Sequence, residues 1–447
     1  MNKKILIIGL GITGISCLRF LLKKKIIPTV MDERNDSYLL KKIPLYVPYH
    51  LGSLNKNWIL NSQLIILSPG ISIFNNLILK AQKKNIEIIG DMELFARYNT
   101  TPLIAITGTN GKSTVTNMIT NIMKKNNFQV SIGGNTGYPV MDLLSFKKDF
   151  YILEISSFQL ETVKKLNIYI AIILNISQDH MDRYPLGIEQ YRNFKLRIYK
   201  NADICIYNAD DILCYPKKFY NEKKYITFGK FLGTYNLFFS KKNIYLKINN
   251  KKIFNFNKTK LIGIHNYLNF LAVLAVTDIL KISKKNFFKE INNYKNMDHI
   301  LQIIHKENGV TWINDSKSTN ISSTKAALEY LHRKKRIWLF LGGYDKNCNL
   351  SLLKKYLQKK NNIKILCFGK LSEKILPIFP RAIIVKTIHE GVKKIIKLVK
   401  FGDIVLLSPA CSSIDQFKNF KHRGNEFIKI VKKIHKYTYT SVKKFII

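Results

Sequence analysis

The sequence predicts an α/β fold of parallel sheets flanked by helices, and three observations carry that expectation. Short β-branched runs recur along the whole chain, each closed by a Gly, Ser, Asn or Asp turn. Near-continuous apolar runs of this kind fit strands buried on both faces of a parallel sheet. Segments with 3.6-residue periodicity, such as KSTVTNMITNIMKKN, separate them and fit crossover helices. Two of the runs end in glycine-rich turns that open a helix, and parallel sheets bind ligands at the carboxyl ends of strands.

Taken in order, the predicted strands are KILIIGLG, PTVMDE, LIILSPG, LIAITGTN, FYILEIS, IAIILNIS and ICIYNADD, then RIWLFLGG, KILCFG and IVLLSPAC. Between the two groups, about Tyr215–Lys260 is Lys-rich and alternating, which reads as a meander of exposed strands, and HNYLNFLAVLAVTDIL reads as a helix. A chain of 447 residues has room for several cores. A first seam is expected near Glu93–Thr101, where polar residues and Pro102 precede a new strand, and a second near the Lys/Asn-rich stretch Lys284–Met297. The expected domains are therefore 1–93, 94–296 and 297–447.

Charge needs its own explanation. With 73 Lys+Arg against 29 Asp+Glu, the formal net charge is +44. A polyanion partner or an anionic membrane surface is one reading. Compositional drift towards Lys, Asn and Ile is the other. Lysines are spread over the whole length, in short runs such as Lys23–Lys25 and Lys359–Lys360, and form no single arm. No nucleic-acid module such as a helix-turn-helix, an RRM signature or a zinc finger is recognisable. No run reaches about 18 uninterrupted apolar residues, so no membrane insertion is expected. The six cysteines, at 17, 205, 214, 348, 367 and 411, contain no CxxC spacing and fit thiols in a reducing compartment. The opening MNKKILIIGLGITGISC imitates a secretory signal, but its glycines have phosphate-loop spacing and a first strand and turn explains it better. A cytoplasmic protein is expected.

The chemistry is concentrated at strand ends. Gly9-Leu-Gly11-Ile-Thr-Gly14 matches GxGxxG, and Asp32 closes the next strand. Glycines let the backbone approach a pyrophosphate at a helix N-terminus, and the acid can hold a sugar or base group. A dehydrogenase would also carry this motif. Gly108-Thr109-Asn110-Gly111-Lys112-Ser113-Thr114 is a shortened phosphate loop, with Ile106 where the Walker pattern has its first glycine. Backbone N–H groups would cradle phosphates, Lys112 neutralise charge, and the Ser113 hydroxyl bind Mg²⁺. ATP binding follows. Glu154 ends a strand where such folds place a carboxylate for the metal, although an acid capping the next turn reads similarly. In Asp179-His180-Met-Asp182, the histidine suits a metal ligand and a charge-satisfied loop residue equally.

GTNGKST, LEISSFQLE, NISQDHMDRY, NFKLRIY, HNYLN, NDSKSTN, GGYDKN and SPACSSIDQFKNFKHRGNEF occur in order, across essentially the whole chain. Together they closely resemble the Mur ligase family, and the last run resembles its D-glutamate-adding members. The resemblance implies a Rossmann-like N-terminal domain for the UDP-linked substrate, a central phosphate-loop ATPase domain, and a Rossmann-like C-terminal domain for the incoming amino acid. It implies joining of D-glutamate to UDP-N-acetylmuramoyl-L-alanine in peptidoglycan precursor synthesis, through an acyl phosphate and a tetrahedral intermediate, with ATP going to ADP and phosphate. One or two Mg²⁺ ions and a monomer are implied as well.

By the same resemblance, Lys112 meets the ATP phosphates, Ser113 and Glu154 hold one Mg²⁺, and His180 holds a second. Lys195, in NFKL, matches the lysine that this family carbamylates with CO₂, which would make it a carboxylate-like ligand bridging to the metal. Taken alone it reads as an exposed helix lysine. Asn266 would face the adenine or ribose, Asp315 the ribose, and Lys317 the transferring phosphate. Lys346, Ser413 and Phe420 resemble the D-glutamate pocket. Gly11, Thr13, Gly14, Asp32, Arg34 and Ser68, with Gly134 and Asn135, would bind the UDP end, which turns the first glycine motif away from NAD. One departure stands out: the family reads Pro-His-Arg where this chain has Asp298-His299-Ile300. A modest loss of function is expected there, partly offset by Lys295. The competing readings are a sibling ligase, a folylpolyglutamate-type ligase, or a basic nucleic-acid-dependent ATPase.

Overall fold

A computed structural model describes all residues except 1–3, 36, 242, 260–262, 295–296, 332–334, 348, 359 and 444–447; side chains at 37, 39 and 435–443 are also outside the description. Lys295, Cys348 and Lys359 therefore lie outside the described residues.

Three sheets organise the chain. The first contains β1 (Ile5–Ile8), β2 (Thr29–Asp32), β3 (Tyr49–Leu51), β4 (Leu64–Leu67) and β5 (Glu87–Gly90), in the order β3-β2-β1-β4-β5 with every pairing parallel. This is the Rossmann order around a switch point between β1 and β4. The run that imitated a signal is its central strand, with Leu6, Ile7 and Ile8 wholly buried. Helix α1 (Ile12–Lys23) follows β1 directly.

The second sheet contains β6 (Leu103–Thr107), β7 (Val130–Gly134), β8 (Phe150–Glu154), β9 (Ile168–Ile173), β10 (Ala202–Asn208), β11 (Lys224–Gly229), β12 (Tyr235–Phe239), β13 (Ile244–Ile248) and β14 (Lys251–Asn255). Its order is β14-β13-β12-β11-β10-β9-β6-β8-β7. The Lys-rich stretch forms β11–β14, with β12, β13 and β14 antiparallel and half-exposed, as the alternation required. Helix α2 (Lys112–Lys125) leaves β6, and α3 (Ile188–Leu196) precedes β10. Helix α4 (Ile264–Ile279) matches the apolar segment read as a helix.

The third sheet contains β15 (Gln302–Glu307), β16 (Val310–Asn314), β17 (Ile337–Gly342), β18 (Ile363–Phe368), β19 (Ile383–Ile384) and β20 (Ile404–Ala410), ordered β15-β16-β20-β17-β18-β19. Only β15 is antiparallel to its neighbour. Apolar layers cover both faces, one around Leu339, Leu341 and Leu406 and the other around Trp312, Phe340 and Phe427. Helix α5 (Phe420–Lys443) supplies Phe427.

The chain forms two compact units. One comprises residues 1–176, 189–257 and 268–292 and holds the first two sheets; the other comprises 177–188, 258–267 and 293–447 and holds the third. No helix among the described residues is long and apolar enough to cross a membrane.

Candidate active site

The central site is built where β6 ends. Gly111 has a left-handed φ of +88°, and a Cβ there would sit 2.4 Å from Asn269 Oδ1, so both conformation and space require glycine. Asn175 clamps the loop from the end of β9. Its side chain accepts from the Asn110 amide (2.9 Å) and donates to the Asn110 carbonyl (3.0 Å), while its own carbonyl accepts from Thr109 N (2.8 Å). Lys112 curls back to donate to the carbonyls of Gly108 (2.8 Å) and Thr109 (3.0 Å). Ser113 and Thr114 open α2, whose first N–H groups have no partner within the helix.

Glu154 is buried at the end of β8, the strand that pairs with β6. Its Oε1 accepts from Asn135 Nδ2 and its Oε2 from Thr136 Oγ1, both at 2.8 Å. Burial alone would raise its pKa, but the Lys112 charge and hydrogen bonds from Asn135, Ser113 and Thr136 outweigh it and hold the carboxyl below its usual value. The acid does not cap the following turn. Ser156 does that, in a reciprocal pair with Gln159. Gly134 and Asn135, expected on the UDP end, thus stand at Glu154: a Cβ on Gly134 would be 2.3 Å from the Glu154 carbonyl oxygen.

Lys195 is only 1% exposed, which removes the surface-lysine reading. Its Nζ donates to the Gly108 carbonyl (2.9 Å) and lies 3.3 Å from Thr107 Oγ1, over the face of Tyr191 at 4.6 Å from the ring centroid. Tyr191 in turn meets Thr109 Oγ1 through its hydroxyl (3.2 Å). Thr107, Thr136, Asn175 and Tyr191 were not singled out from the sequence. Asn175 lay inside the quoted NISQDH run, and that was its only signal.

In the first sheet, Asp32 is 3% exposed. It accepts from the backbone of Leu10 (2.6 Å) and from Arg34 through backbone N, Nε and Nη2 (2.9, 2.8 and 2.8 Å). Burial raises its pKa, and the hydrogen bonds from Arg34 and Leu10 overcome this and lower it. Ser68 Oγ donates to the Gly9 carbonyl (2.6 Å). Gly14 packs so tightly that a Cβ would meet that same carbonyl at 1.9 Å, whereas Gly11 faces open space and Thr13 stands half-buried beside it.

The second unit carries its own group of residues. Lys346 Nζ donates to Asp179 Oδ1 (2.8 Å) and to His180 Nε2 (3.3 Å), so the expected D-glutamate lysine and metal histidine stand together. His180 has a left-handed φ of +58°, and its backbone N–H donates to Asp179 Oδ1 (3.0 Å). Lys317 Nζ lies 5.8 Å from the Phe420 ring centroid, which joins two residues expected in different subsites. Ser413 is buried, and its carbonyl accepts from Phe417 N. Asn266 is buried in the first turn of α4. Asp315 is buried too. Its oxygens accept from Leu301 N (3.1 Å), Ser318 Oγ (2.5 Å) and Ser408 Oγ (2.7 Å), and burial pushes its pKa up to about 6.

Arg423 is the organising residue that sequence reasoning passed over. Its guanidinium is wholly buried and donates to Ser316 Oγ (3.0 Å), Ser316 O (2.9 Å), Cys411 O (3.1 Å) and Gly342 O (3.4 Å). It ties together the turns that follow β16, β17 and β20. Burial lowers its pKa to about 10, which leaves it charged at neutral pH. At the departure from the family pattern, His299 is buried against Asn314 (2.9 Å), and Ile300 is half-buried with its N–H on the Met297 carbonyl (3.3 Å).

Among the described residues, no three His, Cys, Asp or Glu side chains are grouped to hold a metal. Any cation at the phosphate loop would have Glu154 as its carboxylate and hydroxyl or phosphate oxygens for the rest.

Comparison with known proteins follows the same division. Residues 3–90 match the model of the Mur ligase MurD-like N-terminal domain, 106–277 the Mur ligase middle domain, and 301–411 the Mur ligase glutamate ligase domain. The chain is 48% identical over 438 residues to the UDP-N-acetylmuramoylalanine–D-glutamate ligase of Buchnera aphidicola from Schizaphis graminum, covering 97% of this chain and 99% of that protein. It is 42% identical over 434 residues to the enzyme of the same name from Escherichia coli K12, with coverage of 97% and 99%. Among solved structures it is similar to a MurF ligase from Thermotoga maritima, with a TM-score of 0.63 at 16% identity over 97% of this chain and 98% of that one, a likeness of fold.

Proposed function

We infer the activity from one premise: the chain belongs to the Mur ligase family. It is an ATP-dependent ligase that adds D-glutamate to UDP-N-acetylmuramoyl-L-alanine in peptidoglycan synthesis, forming an amide bond and releasing ADP and phosphate. The observation that carries this is the identity of 42–48% to D-glutamate ligases across nearly the whole of both chains. Its domains are taken as 1–93, 94–296 and 297–447, and it is read as a cytoplasmic monomer.

A free carboxylate resists attack by an amine, so the acceptor carboxylate first takes the γ-phosphoryl group. The D-glutamate amine then attacks the acyl phosphate, and the tetrahedral intermediate expels phosphate. The chain's task is to align anionic substrates and balance their charge. The amides of 111–114 and Lys112 would bind the phosphates, with the Thr109 and Asn110 amides held by Asn175 to shape the loop. Lys112 already leans on the loop carbonyls and exchanges them for phosphate oxygens. Thr13, Asp32, Arg34 and the glycine turn would hold the UDP end, and Lys346, Ser413 and Phe420 the D-glutamate, with Asn266, Asp315 and Lys317 towards the nucleotide and the phosphoryl group.

The hard oxygens of Glu154 and Ser113 fit magnesium, which commonly keeps water and takes one or two carboxylates beside substrate phosphates. Bound there, magnesium would neutralise charge on the β- and γ-phosphates. Asn135 and Thr136 each hold a different Glu154 oxygen and so fix the orientation of the carboxylate, which has further acceptor capacity for an ion. Lys195 is the proposed carbamylated lysine, whose carbamate would remove a positive charge at the loop and add acceptor oxygens that could bind the metal. A second ion at His180 requires Lys346 to leave Nε2, which binding of D-glutamate carboxylates to Lys346 would favour.

The test is phosphate release from ATP with each substrate withheld in turn. Release requires ATP, the UDP-linked acceptor and D-glutamate together, with L-lysine and diaminopimelate refused in place of D-glutamate. Turnover stimulated by RNA or DNA alone would overturn the reading.

A further inference from the structure

We propose that the turn joining β11 to β12, together with the end of β12, is a docking surface for an anionic lipid headgroup layer. The positive charge left over by the ligase site is not evenly spread. Residues 212–259 carry eleven lysines against one acid, Glu222, which is about twice the positive charge density of the whole chain. From Lys224 on, its described residues form β11–β14, the outer four strands of the central sheet, away from the phosphate loop at the end of β6.

At the β11–β12 turn the charge meets exposed apolar side chains. Phe231 is 64% exposed, Leu232 57% and Phe239 39%. The turn is held in place: the Asp210 carboxylate accepts from the backbone N–H groups of Lys230, Phe231 (3.3 Å) and Leu232 (3.2 Å). A Phe and a Leu side by side are thus presented to water by an anchored turn rather than by a loose tip. The Phe231 and Phe239 rings stand 6.1 Å apart, so the three side chains form one patch. Lys230 Nζ lies over both rings, 4.5 Å from the centroid of Phe231 and 5.5 Å from that of Phe239, and Lys241 is exposed just beyond β12.

This combination suits a lipid interface better than a nucleic acid. Stacking of bases needs free ring faces, and here an ammonium already lies over a face of each ring. A headgroup layer takes ring edges and an aliphatic tip, while lysine stems bend back to lipid phosphates. The lysines of β11–β14 then complement the anionic surface, an attraction that salt weakens.

Sedimentation of the full chain with vesicles tests this. The probes are phosphatidylcholine vesicles with about 30% phosphatidylglycerol, and phosphatidylcholine alone. Binding is expected to the anionic vesicles and not to the neutral ones. The double variant Phe231→Ser/Leu232→Ser should weaken it about tenfold, with ligase rate without vesicles and thermal midpoint unchanged. Leu232→Ser alone, measured in parallel, should show a smaller loss and guards against misfolding of the double variant. Failure of the wild type to bind anionic vesicles overturns the proposal. So does equal binding by the variants, which would assign the attraction to overall charge. Tighter binding of a single-stranded oligonucleotide, lost in the double variant, would give the patch to nucleic acid instead.

Discussion

The side-chain amine of Lys195 donates to the carbonyl of Gly108 at 2.9 Å, although the two residues are 87 positions apart. A buried ammonium thus supports the first turn of the phosphate loop, with Tyr191 beneath it. A carbamate on this nitrogen keeps a single N–H, so at most one of the present donor contacts to Gly108 and Thr107 would remain, while the new carboxylate oxygens would turn towards cations at the loop.

Lys195→Arg tests this, because arginine keeps the charge and forms no carbamate under these conditions. A fall in kcat of about 100-fold or more is expected. Labelling with ¹³C-bicarbonate should give a carbamate signal in the wild type that the variant lacks. A variant of full activity would refute the role.

Glu154→Gln preserves an acceptor for Asn135 but removes the charge beside Lys112. A drop in kcat of about 10²–10³ is expected, with a higher magnesium requirement and little change in thermal midpoint. Because the folded pKa is depressed, ionised Glu154 contributes stability above the ordinary glutamate pKa. That contribution is lost as pH falls through the lower folded value.

Asp315 has the opposite sign. Its folded pKa is raised from 3.8 to about 6, so the folded state holds the proton more tightly than the unfolded chain. Its contribution is neutral below the unfolded value and becomes unfavourable as pH rises to about 6, by about 3 kcal/mol in all. Asp315→Asn should flatten the pH dependence of the melting temperature between about pH 4 and 6 relative to wild type. An unchanged slope would count against the buried acid as its source.

The glycine turn of the first domain separates packing from ligand contact. In Gly14→Ala the methyl would meet the Gly9 carbonyl at 1.9 Å, so lower stability and poorer use of the UDP substrate are expected together. Gly11 has open space and a φ of −68°, which alanine tolerates. Gly11→Ala should keep its melting temperature and raise KM for the UDP substrate alone.

Arg423→Met leaves the carbonyls of Ser316, Gly342 and Cys411 without this donor. A loss of about 3 kcal/mol in stability is expected, read by denaturant unfolding. Arg423→Lys should recover only part, since one ammonium cannot span three turns.

Much of the fold was readable because its signals are local. Ten apolar runs became ten strands, and GTNGKST opened the helix it was expected to open. The glycine motif pointed to a phosphate site, and the expectation of UDP over NAD came from resemblance. The long-range partners were not readable. Nothing in Asn135 or Thr136 announces Glu154, and an isolated Arg423 in a chain of 73 basic residues gives no sign of burial.

The sequence by itself determined the parallel α/β architecture, the phosphate loop and the family, because apolar periodicity and glycine turns act through neighbours along the chain. Tertiary structure decided which residues stand together. The strand order β9-β6-β8-β7 brings Asn175, the loop, Glu154 and Asn135 together at the carboxyl ends of neighbouring strands from positions spread over the domain. It also settled that Lys195 is buried and that Lys346 meets Asp179 and His180. Hydrogen-bond geometry at these points depends on strand order and loop position, which no local pattern encodes.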